Sequence, residues 1–125
     1  MNRFGIIATI VIILILGGGA FLITKSNSKP VPTTEPNTYE YFWGDGCPHC
    51  EVVADFFDSW TDKDKVKITK LEVWKNTKNA SLMSERAKVC NIAKTEMGVP
   101  LMITPDGSCL IGDQPIIDHF KSLTF

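Results

Sequence analysis

Residues 43–50 read WGDGCPHC and lie between a short apolar segment and an amphipathic one. The two glycines predict a turn, and Pro48 is typical of the first turn of a helix, where its missing N–H is not needed. A Cys-x-x-Cys motif at a strand-to-helix junction is typical of redox chemistry, because the first sulfur caps the helix and the helix dipole stabilises its thiolate. We therefore predict that Cys47 and Cys50 alternate between dithiol and disulfide.

The same spacing leaves two other interpretations open, a pair of buried structural cysteines and half of a zinc site. Zinc commonly takes four ligands from two such pairs. No second C-x-x-C and no H-x-x-x-H follows in the sequence. We therefore expect no bound metal.

The segments on either side of the motif predict a strand and a helix. Residues 38–43 (TYEYFW) are rich in aromatic side chains and end at the glycine turn, as strands often do. Apolar residues then recur at helical spacing, which predicts a helix over residues 48–61. These residues are Val52, Val53, Phe56, Phe57 and Trp60.

The chain beyond residue 65 predicts three more strands and two more helices. Residues 66–74 alternate apolar with charged side chains, which indicates a strand with one partly solvated face. Residues 79–96 predict a helix capped by Gly98. Its candidate inward residues are Leu82, Met83, Ala87, Val89, Cys90 and Ala93. Residues 101–103 and 108–111 flank an Asp-Gly turn and predict a hairpin, and residues 113–123 predict a final helix. The apolar face of that helix comprises Ile116, Ile117, Phe120 and Leu123.

The predicted order β-α-β-α-β-β-α indicates an α/β domain with a four-stranded mixed sheet and helices on both faces. This order, the Cys-Pro-His-Cys tetrapeptide, Trp43 four residues before Cys47, and Gly98-Val99-Pro100 before the third strand together resemble the thioredoxin fold. The tetrapeptide itself resembles that of the Dsb-type thiol:disulfide oxidoreductases. The resemblance covers residues 38–125.

In such an enzyme Cys47 would be the nucleophile, and Cys50 would resolve the mixed disulfide. The resemblance implies that Pro100 is a cis-proline that faces the two sulfurs. This geometry would leave the backbone of Val99 free to pair with an extended substrate segment. The other interpretation is an ordinary trans proline before an edge strand. Trp43, Val99 and Pro100 are the candidate substrate-binding residues.

His49 lies between the two cysteines in the sequence and is expected to place positive charge near the Cys47 thiolate. This charge would stabilise the reduced form and make the disulfide more oxidising, unless His49 is only a solvated surface residue. Thioredoxins carry a buried acid in the first strand, but the matching residue here is Tyr41. Glu40 should face the other side of that strand, and Glu72 is the other nearby acid. The sequence therefore leaves open which group deprotonates Cys50.

Cys90 and Cys109 form the second cysteine pair. The elements that carry them must pack together in the predicted fold, so a structural disulfide is sterically plausible. In the loop-entropy model it would contribute roughly 3 kcal/mol. Two reduced core cysteines, or a redox relay with Cys47 and Cys50, are the alternatives. His119 is expected to be a surface or hydrogen-bonded histidine without a catalytic role.

The N-terminus predicts a membrane segment. Residues 4–24 carry no charge and are long enough to cross a bilayer as a helix, so we expect a signal anchor over residues 1–24. Gly18 and Ala20 leave cleavage of a signal peptide as the alternative. Residues 25–37 are rich in Pro, Ser, Thr and Asn and predict a linker to the domain at 38–125. Basic residues flank both ends of the segment, so the positive-inside rule does not decide its orientation. We place the domain outside the cytoplasm because its cysteines suit an oxidising compartment.

The charge balance, with 13 basic and 14 acidic residues, gives no indication of a nucleic-acid partner. Together these features predict a membrane-tethered, extracytoplasmic thiol:disulfide oxidoreductase that acts on cysteines of exported proteins. We expect no bound cofactor, and a membrane or soluble redox partner would reset its active site. The alternatives are a client-specific reductase of the same fold and a metal-binding or chaperone module that uses Cys47, His49 and Cys50.

Overall fold

The computed structural model describes residues 37–125. The predicted signal anchor at residues 1–24 and residues 25–36 of the predicted linker lie outside the described residues. Within residues 37–125, no helix has the length and apolar character needed to cross a bilayer.

The described residues form four strands, three α-helices and one short 3-10 turn. In chain order they are β1 (Thr38–Trp43), α1 (Pro48–Ser59), the 3-10 turn (Lys63–Lys65), β2 (Lys67–Glu72), α2 (Thr77–Val89), β3 (Leu101–Ile103), β4 (Cys109–Ile111) and α3 (Asp113–Ser122). Strand β1 has the predicted bounds. The hairpin strands and the last helix lie where the sequence predicted them, to within one residue at their ends.

The four strands form one mixed sheet in the order β2-β1-β3-β4. Strand β1 is parallel to β2 and antiparallel to β3, and β3 is antiparallel to β4. Strand β1 lies between β2 and β3, and both of its faces are covered, which suits its aromatic composition. The lysine-rich β2 is at an edge, which explains its alternation of apolar and charged residues. The predicted four-stranded mixed sheet is therefore confirmed.

Two apolar clusters cover the two faces of the sheet. Side chains of β1 and β3 pack against α1 and α3 on one face, in a cluster of Tyr39, Tyr41, Val53, Phe57, Met102, Ile116 and Phe120. On the other face they pack with α2, in a cluster of Phe42, Val73, Met83, Leu101 and Ile103. Because side chains alternate along a strand, Tyr41 and Phe42 belong to opposite clusters. Helices therefore lie on both faces, as the order of elements predicted.

The second helix differs from the prediction at both ends. It begins at Thr77 because the Asn76 side chain caps it, accepting the backbone N–H groups of Lys78 and Asn79 at 3.1 and 3.2 Å. It ends at Val89, seven residues before the predicted end. Asn91 adopts a left-handed conformation with φ 56°.

The backbone N–H of Ile92 then bonds to the carbonyl oxygen of Ala87 at 3.0 Å, which satisfies the last turn of α2. Asn91 rather than Gly98 is therefore the residue that stops this helix. Met83 and Ala87 are buried as predicted, and Leu82, Val89 and Cys90 are half-buried. Ala93 lies beyond the helix and is exposed, so its assignment as an inward helical residue was wrong.

Candidate active site

Cys47 is the N-cap residue of α1, with extended backbone angles of φ −80° and ψ 116°. The turn before it is closed by a hydrogen bond from the Cys47 backbone N–H to the Gly44 carbonyl oxygen at 3.1 Å. Gly46 in this turn has φ 81°, which favours glycine. The Cys47 sulfur accepts the backbone N–H of Cys50 at 3.3 Å. The N-terminus of the helix thus supplies a hydrogen bond that favours a negative charge on this sulfur.

Both motif cysteines are free thiols, and both are nearly inaccessible, at 5 % exposure for Cys47 and 4 % for Cys50. Burial, followed by a hydrogen bond with the Cys47 side chain, raises the pKa of Cys50 to about 12. The first and second cysteine therefore have different surroundings although they are one helical turn apart.

The segment before β3 lies beside the Cys47 sulfur. The Cys47 thiol donates to the carbonyl oxygen of Val99 at 3.8 Å, a long hydrogen bond to sulfur. The Val99–Pro100 peptide bond is cis, as the resemblance implied. The carbonyl oxygen of Pro100 accepts the backbone N–H of Gly112 at 2.9 Å, which ties this segment to the residue that precedes α3. The structure thus brings together Cys47, Cys50, Val99 and Pro100.

His49 pairs with an acidic residue of the last helix. Its Nδ1 atom is 3.0 Å from Oδ2 of Asp113 in the first turn of α3, and its side chain is 71 % exposed. The hydrogen bond with His49 lowers the pKa of the Asp113 carboxyl group. Sequence reasoning missed Asp113, since an acid in the first turn of a helix is a common feature and 64 residues separate it from His49.

Tyr41, which the resemblance in sequence matched to the acid of thioredoxins, contacts Cys50. Its hydroxyl donates to the Cys50 carbonyl oxygen at 3.4 Å. Burial, followed by the nearby Cys50, raises the pKa of this phenol. Glu40 faces the other side of the sheet, as predicted, and its two oxygens accept bonds of 2.7 and 2.9 Å from the guanidinium group of Arg86.

Glu72 is also not at the Cys50 thiol. Its carboxylate accepts the backbone N–H groups of Trp74 and Lys75 at 2.9 and 2.8 Å. It therefore stabilises the loop after β2. Neither acid suggested by the sequence is placed to take the proton of Cys50.

A pocket of about 210 Å³ opens beside the two sulfurs. Its lining combines aromatic, small and charged residues, namely Tyr41, Trp43, Gly44, Asp45, Gly46, Cys47, Cys50, Glu51, Ala54 and Lys70. Trp43 is half-buried and belongs to this lining, whereas Val99 and Pro100 do not. The predicted substrate-binding residues therefore do not all line the same cavity.

The loop after β2 holds the turn that precedes Cys47. The ring of Trp74 lies so close to Gly44 that a Cβ atom at position 44 would overlap it. The ammonium group of Lys75 pairs with the Asp45 carboxylate. Trp74 is 59 % exposed, so a large aromatic surface faces solvent next to the motif. No local sequence pattern predicts these contacts, because residues 44 and 74 meet only when β1 and β2 pair.

Cys90 and Cys109 form a disulfide, with their Cα atoms 6.2 Å apart. The bond joins the C-terminal end of α2 to β4 and excludes the alternative of two reduced cysteines in this structure. His119 bonds to the Tyr39 hydroxyl, with 3.1 Å between Nε2 and the oxygen. This bond agrees with the prediction of a hydrogen-bonded histidine. Burial also lowers the pKa of His119.

Within residues 37–125, no group of three or more His, Cys, Asp or Glu side chains is arranged to hold a metal ion. Comparison of the chain with models of protein families, with curated proteins and with solved structures gives no match.

Proposed function

We propose that this chain is a thioredoxin-like thiol:disulfide oxidoreductase that exchanges disulfides with cysteines of exported proteins. The observation that carries the proposal is the position of Cys47, whose sulfur accepts the Cys50 backbone N–H at the start of α1. A thiolate at such a site is stabilised without a metal or cofactor. A second free thiol lies one helical turn away, which is what disulfide exchange through a mixed disulfide requires.

In the oxidising direction, a substrate thiolate attacks the Cys47 sulfur of the Cys47–Cys50 disulfide, and Cys50 leaves with the electron pair. A second substrate thiolate then attacks the substrate sulfur of the mixed disulfide and releases the Cys47 thiolate. The substrate gains one disulfide and the enzyme keeps two electrons, so a redox partner must accept these electrons to reset the site. In the reducing direction the same steps run backwards.

Several features support the assignment to a thioredoxin-like family and to an extracytoplasmic location. The strand order β2-β1-β3-β4 places the C-terminal end of β1, the start of α1 and the Val99–Pro100 segment at one edge of the sheet. The Cys90–Cys109 disulfide suits an oxidising compartment. Residues 1–24 would anchor the domain to the membrane as a single uncleaved span, or direct its secretion if they are cleaved.

The test uses the full-length chain in detergent and follows reduction of insulin by dithiothreitol. The wild-type protein should accelerate the reaction, and Cys47→Ser should abolish the acceleration. Cys50→Ser should instead accumulate mixed disulfides, because Cys47 can still attack but nothing resolves the product. Equal activity in all three proteins would contradict the proposal.

A zinc titration of the reduced protein distinguishes the metal-binding alternative. Tight stoichiometric binding that is lost in Cys47→Ser, together with no exchange activity, would favour a metal module that uses Cys47, His49 and Cys50. The reduction potential distinguishes an oxidase from a client-specific reductase. A value near roughly −120 mV would indicate an oxidase, and one near roughly −270 mV a reductase.

A further inference from the structure

In the reducing direction, the second step of the proposed exchange needs the Cys50 thiolate, yet burial disfavours ionisation of this thiol. Neither Glu40 nor Glu72 lies at Cys50, so the chain lacks the buried acid expected there. The group that does lie at Cys50 is the phenol of Tyr41.

Tyr41 is held firmly in this place. It lies in the middle of β1 with 3 % exposure, and its ring packs edge-on against Phe57 with 6.3 Å between ring centroids. Its hydroxyl donates to the Cys50 carbonyl oxygen at 3.4 Å. After burial, the nearby Cys50 thiol is the next cause that raises the pKa of this phenol. The phenol hydroxyl therefore lies at the residue whose thiol must ionise.

The pocket connects this pair of groups to solvent. Tyr41 and Cys50 both line it, and its volume of about 210 Å³ holds several water molecules. Lys70 lies opposite Tyr41 in the β1–β2 register and belongs to the same lining. Water that enters the pocket therefore reaches Cys50.

The charged and titratable groups around Cys50 leave few candidates for a base. Cys47 shares its helix turn, Tyr41 faces it from β1, and Lys70 lines the pocket from β2. Asp45 is paired with Lys75, and Asp113 from α3 is engaged with His49. Glu51 is the remaining carboxylate of the pocket lining.

The Tyr41 hydroxyl is suited to donate a hydrogen bond and not to act as a base. Burial raises the pKa of Tyr41, so its hydroxyl keeps its proton through neutral pH. A hydrogen bond to a charged acceptor is stronger than one to a neutral acceptor. Tyr41 therefore stabilises a Cys50 thiolate more than it stabilises the thiol.

We propose that Tyr41 is a catalytic residue, whose hydroxyl donates a hydrogen bond to the Cys50 thiolate as it forms, while hydroxide from the water-filled pocket takes the proton. This inference rests on the exchange function proposed above. Hydroxide removes the thiol proton and becomes water, and the Cys50 thiolate attacks the Cys47 sulfur of the mixed disulfide. The bond between Cys47 and the substrate sulfur breaks, the substrate leaves as a thiolate, and the Cys47–Cys50 disulfide forms. Tyr41 keeps its proton throughout.

The test separates the two chemical steps with dithiobis(nitrobenzoate), an aromatic disulfide that releases a coloured thiolate. The reduced full-length protein is mixed with less than one equivalent of reagent in a stopped-flow spectrometer. Attack by Cys47 releases the first thiolate at a rate that rises with protein concentration. Resolution by Cys50 releases the second at a rate that is independent of concentration, so each phase reports one cysteine.

Tyr41→Phe should slow the second phase about tenfold and leave the first unchanged, because only a hydrogen bond to the Cys50 thiolate is lost. The matched control is Tyr39→Phe, since Tyr39 is a buried tyrosine on the same face of β1 whose hydroxyl bonds to His119. This control should change neither phase. In the wild-type protein the second phase should accelerate about tenfold per pH unit between about pH 6 and pH 9, following hydroxide.

A second phase that is unchanged in Tyr41→Phe, or one slowed by Glu51→Gln, would overturn the inference in favour of a carboxylate base. If the rate of the second phase in the wild-type protein instead levels off above about pH 6, a carboxylate takes the proton and the inference is also overturned. This measurement needs no variant, so it remains possible if Tyr41→Phe fails to fold. Absence of the first phase in the wild-type protein would instead refute the exchange function itself.

Discussion

Cys47 and Cys50 have identical side chains and lie in the same helical turn, yet the structure gives their sulfurs different partners. The Cys47 sulfur accepts a backbone N–H of the helix start and contacts the Val99 carbonyl oxygen. Cys50 lies beneath it, where burial raises its pKa to about 12. In the exchange that we propose, the first sulfur would attack, and the second thiol would stay protonated until the mixed disulfide has formed.

His49 is exposed and paired with Asp113, so any effect on Cys47 acts through charge and not through a direct hydrogen bond. We expect His49→Ala to lower the reduction potential by about 30 mV, since loss of roughly 1.4 kcal/mol of stabilisation of the reduced form changes it by this amount. Equilibration with glutathione buffers measures the potential.

The control for this variant is His119→Ala, which removes a histidine that bonds to Tyr39 rather than to the motif. It should leave the potential unchanged even if it lowers stability. A potential in His49→Ala equal to that of the wild-type protein would mean that His49 is only a solvated surface residue.

At the scale of elements, the loop between β2 and α2 supports the turn between β1 and α1. The Val73 backbone N–H bonds to the Trp43 carbonyl oxygen at 2.9 Å, and Lys75 pairs with Asp45. The ring of Trp74 covers Gly44, where only a residue without a side chain fits. This loop therefore helps to hold the turn that positions Cys47.

Gly44→Ala should destabilise the folded state by about 1 to 3 kcal/mol, because its methyl group would force the Trp74 ring out of place. Gly98→Ala is the matched control, since no atom lies within 4 Å of a Cβ atom built there. Chemical denaturation measures both. In a Trp74→Ala background, Gly44→Ala should lower the free energy of unfolding by a smaller amount. An equal loss in both backgrounds would rule out the Trp74 ring as the cause.

At the scale of the whole molecule, the Cys90–Cys109 disulfide connects α2, on one side of the sheet, to the edge strand β4. Two residues that follow β4 contact the candidate site. The backbone N–H of Gly112 bonds to the Pro100 carbonyl oxygen, and the carboxylate of Asp113 bonds to His49. The disulfide thus constrains the part of the molecule that supports one side of the candidate site.

The double variant Cys90→Ser/Cys109→Ser should lose about 3 kcal/mol of unfolding free energy, because the unfolded chain is no longer cross-linked over a separation of 19 residues. Its exchange activity at low temperature should remain. The control is Cys47→Ser/Cys50→Ser, which also replaces two cysteines by serine but should retain the Cys90–Cys109 disulfide. A redox relay is contradicted if the Cys90/Cys109 variant exchanges at the wild-type rate, and supported if it is inactive while folded.

The sequence by itself determined the features that depend on neighbouring residues. Strand β1, the start of α1, the hairpin and the final helix follow from apolar periodicity, glycine turns and a helix-start proline, all of which act within a few residues. The position of Cys47 at the helix start follows from the same local rules. The end of α2 did not follow, because Asn91 took the left-handed position that the sequence assigned to Gly98.

Only the tertiary structure decided which distant residues meet. The contacts of His49 with Asp113, of Tyr41 with Cys50 and of Trp74 with Gly44 depend on strand pairing and helix packing, which bring together residues far apart in the chain. The charge and hydrogen bonding around the two sulfurs depend on these contacts. The sequence could therefore identify the two candidate redox cysteines, but the surroundings that make them unequal follow from the fold.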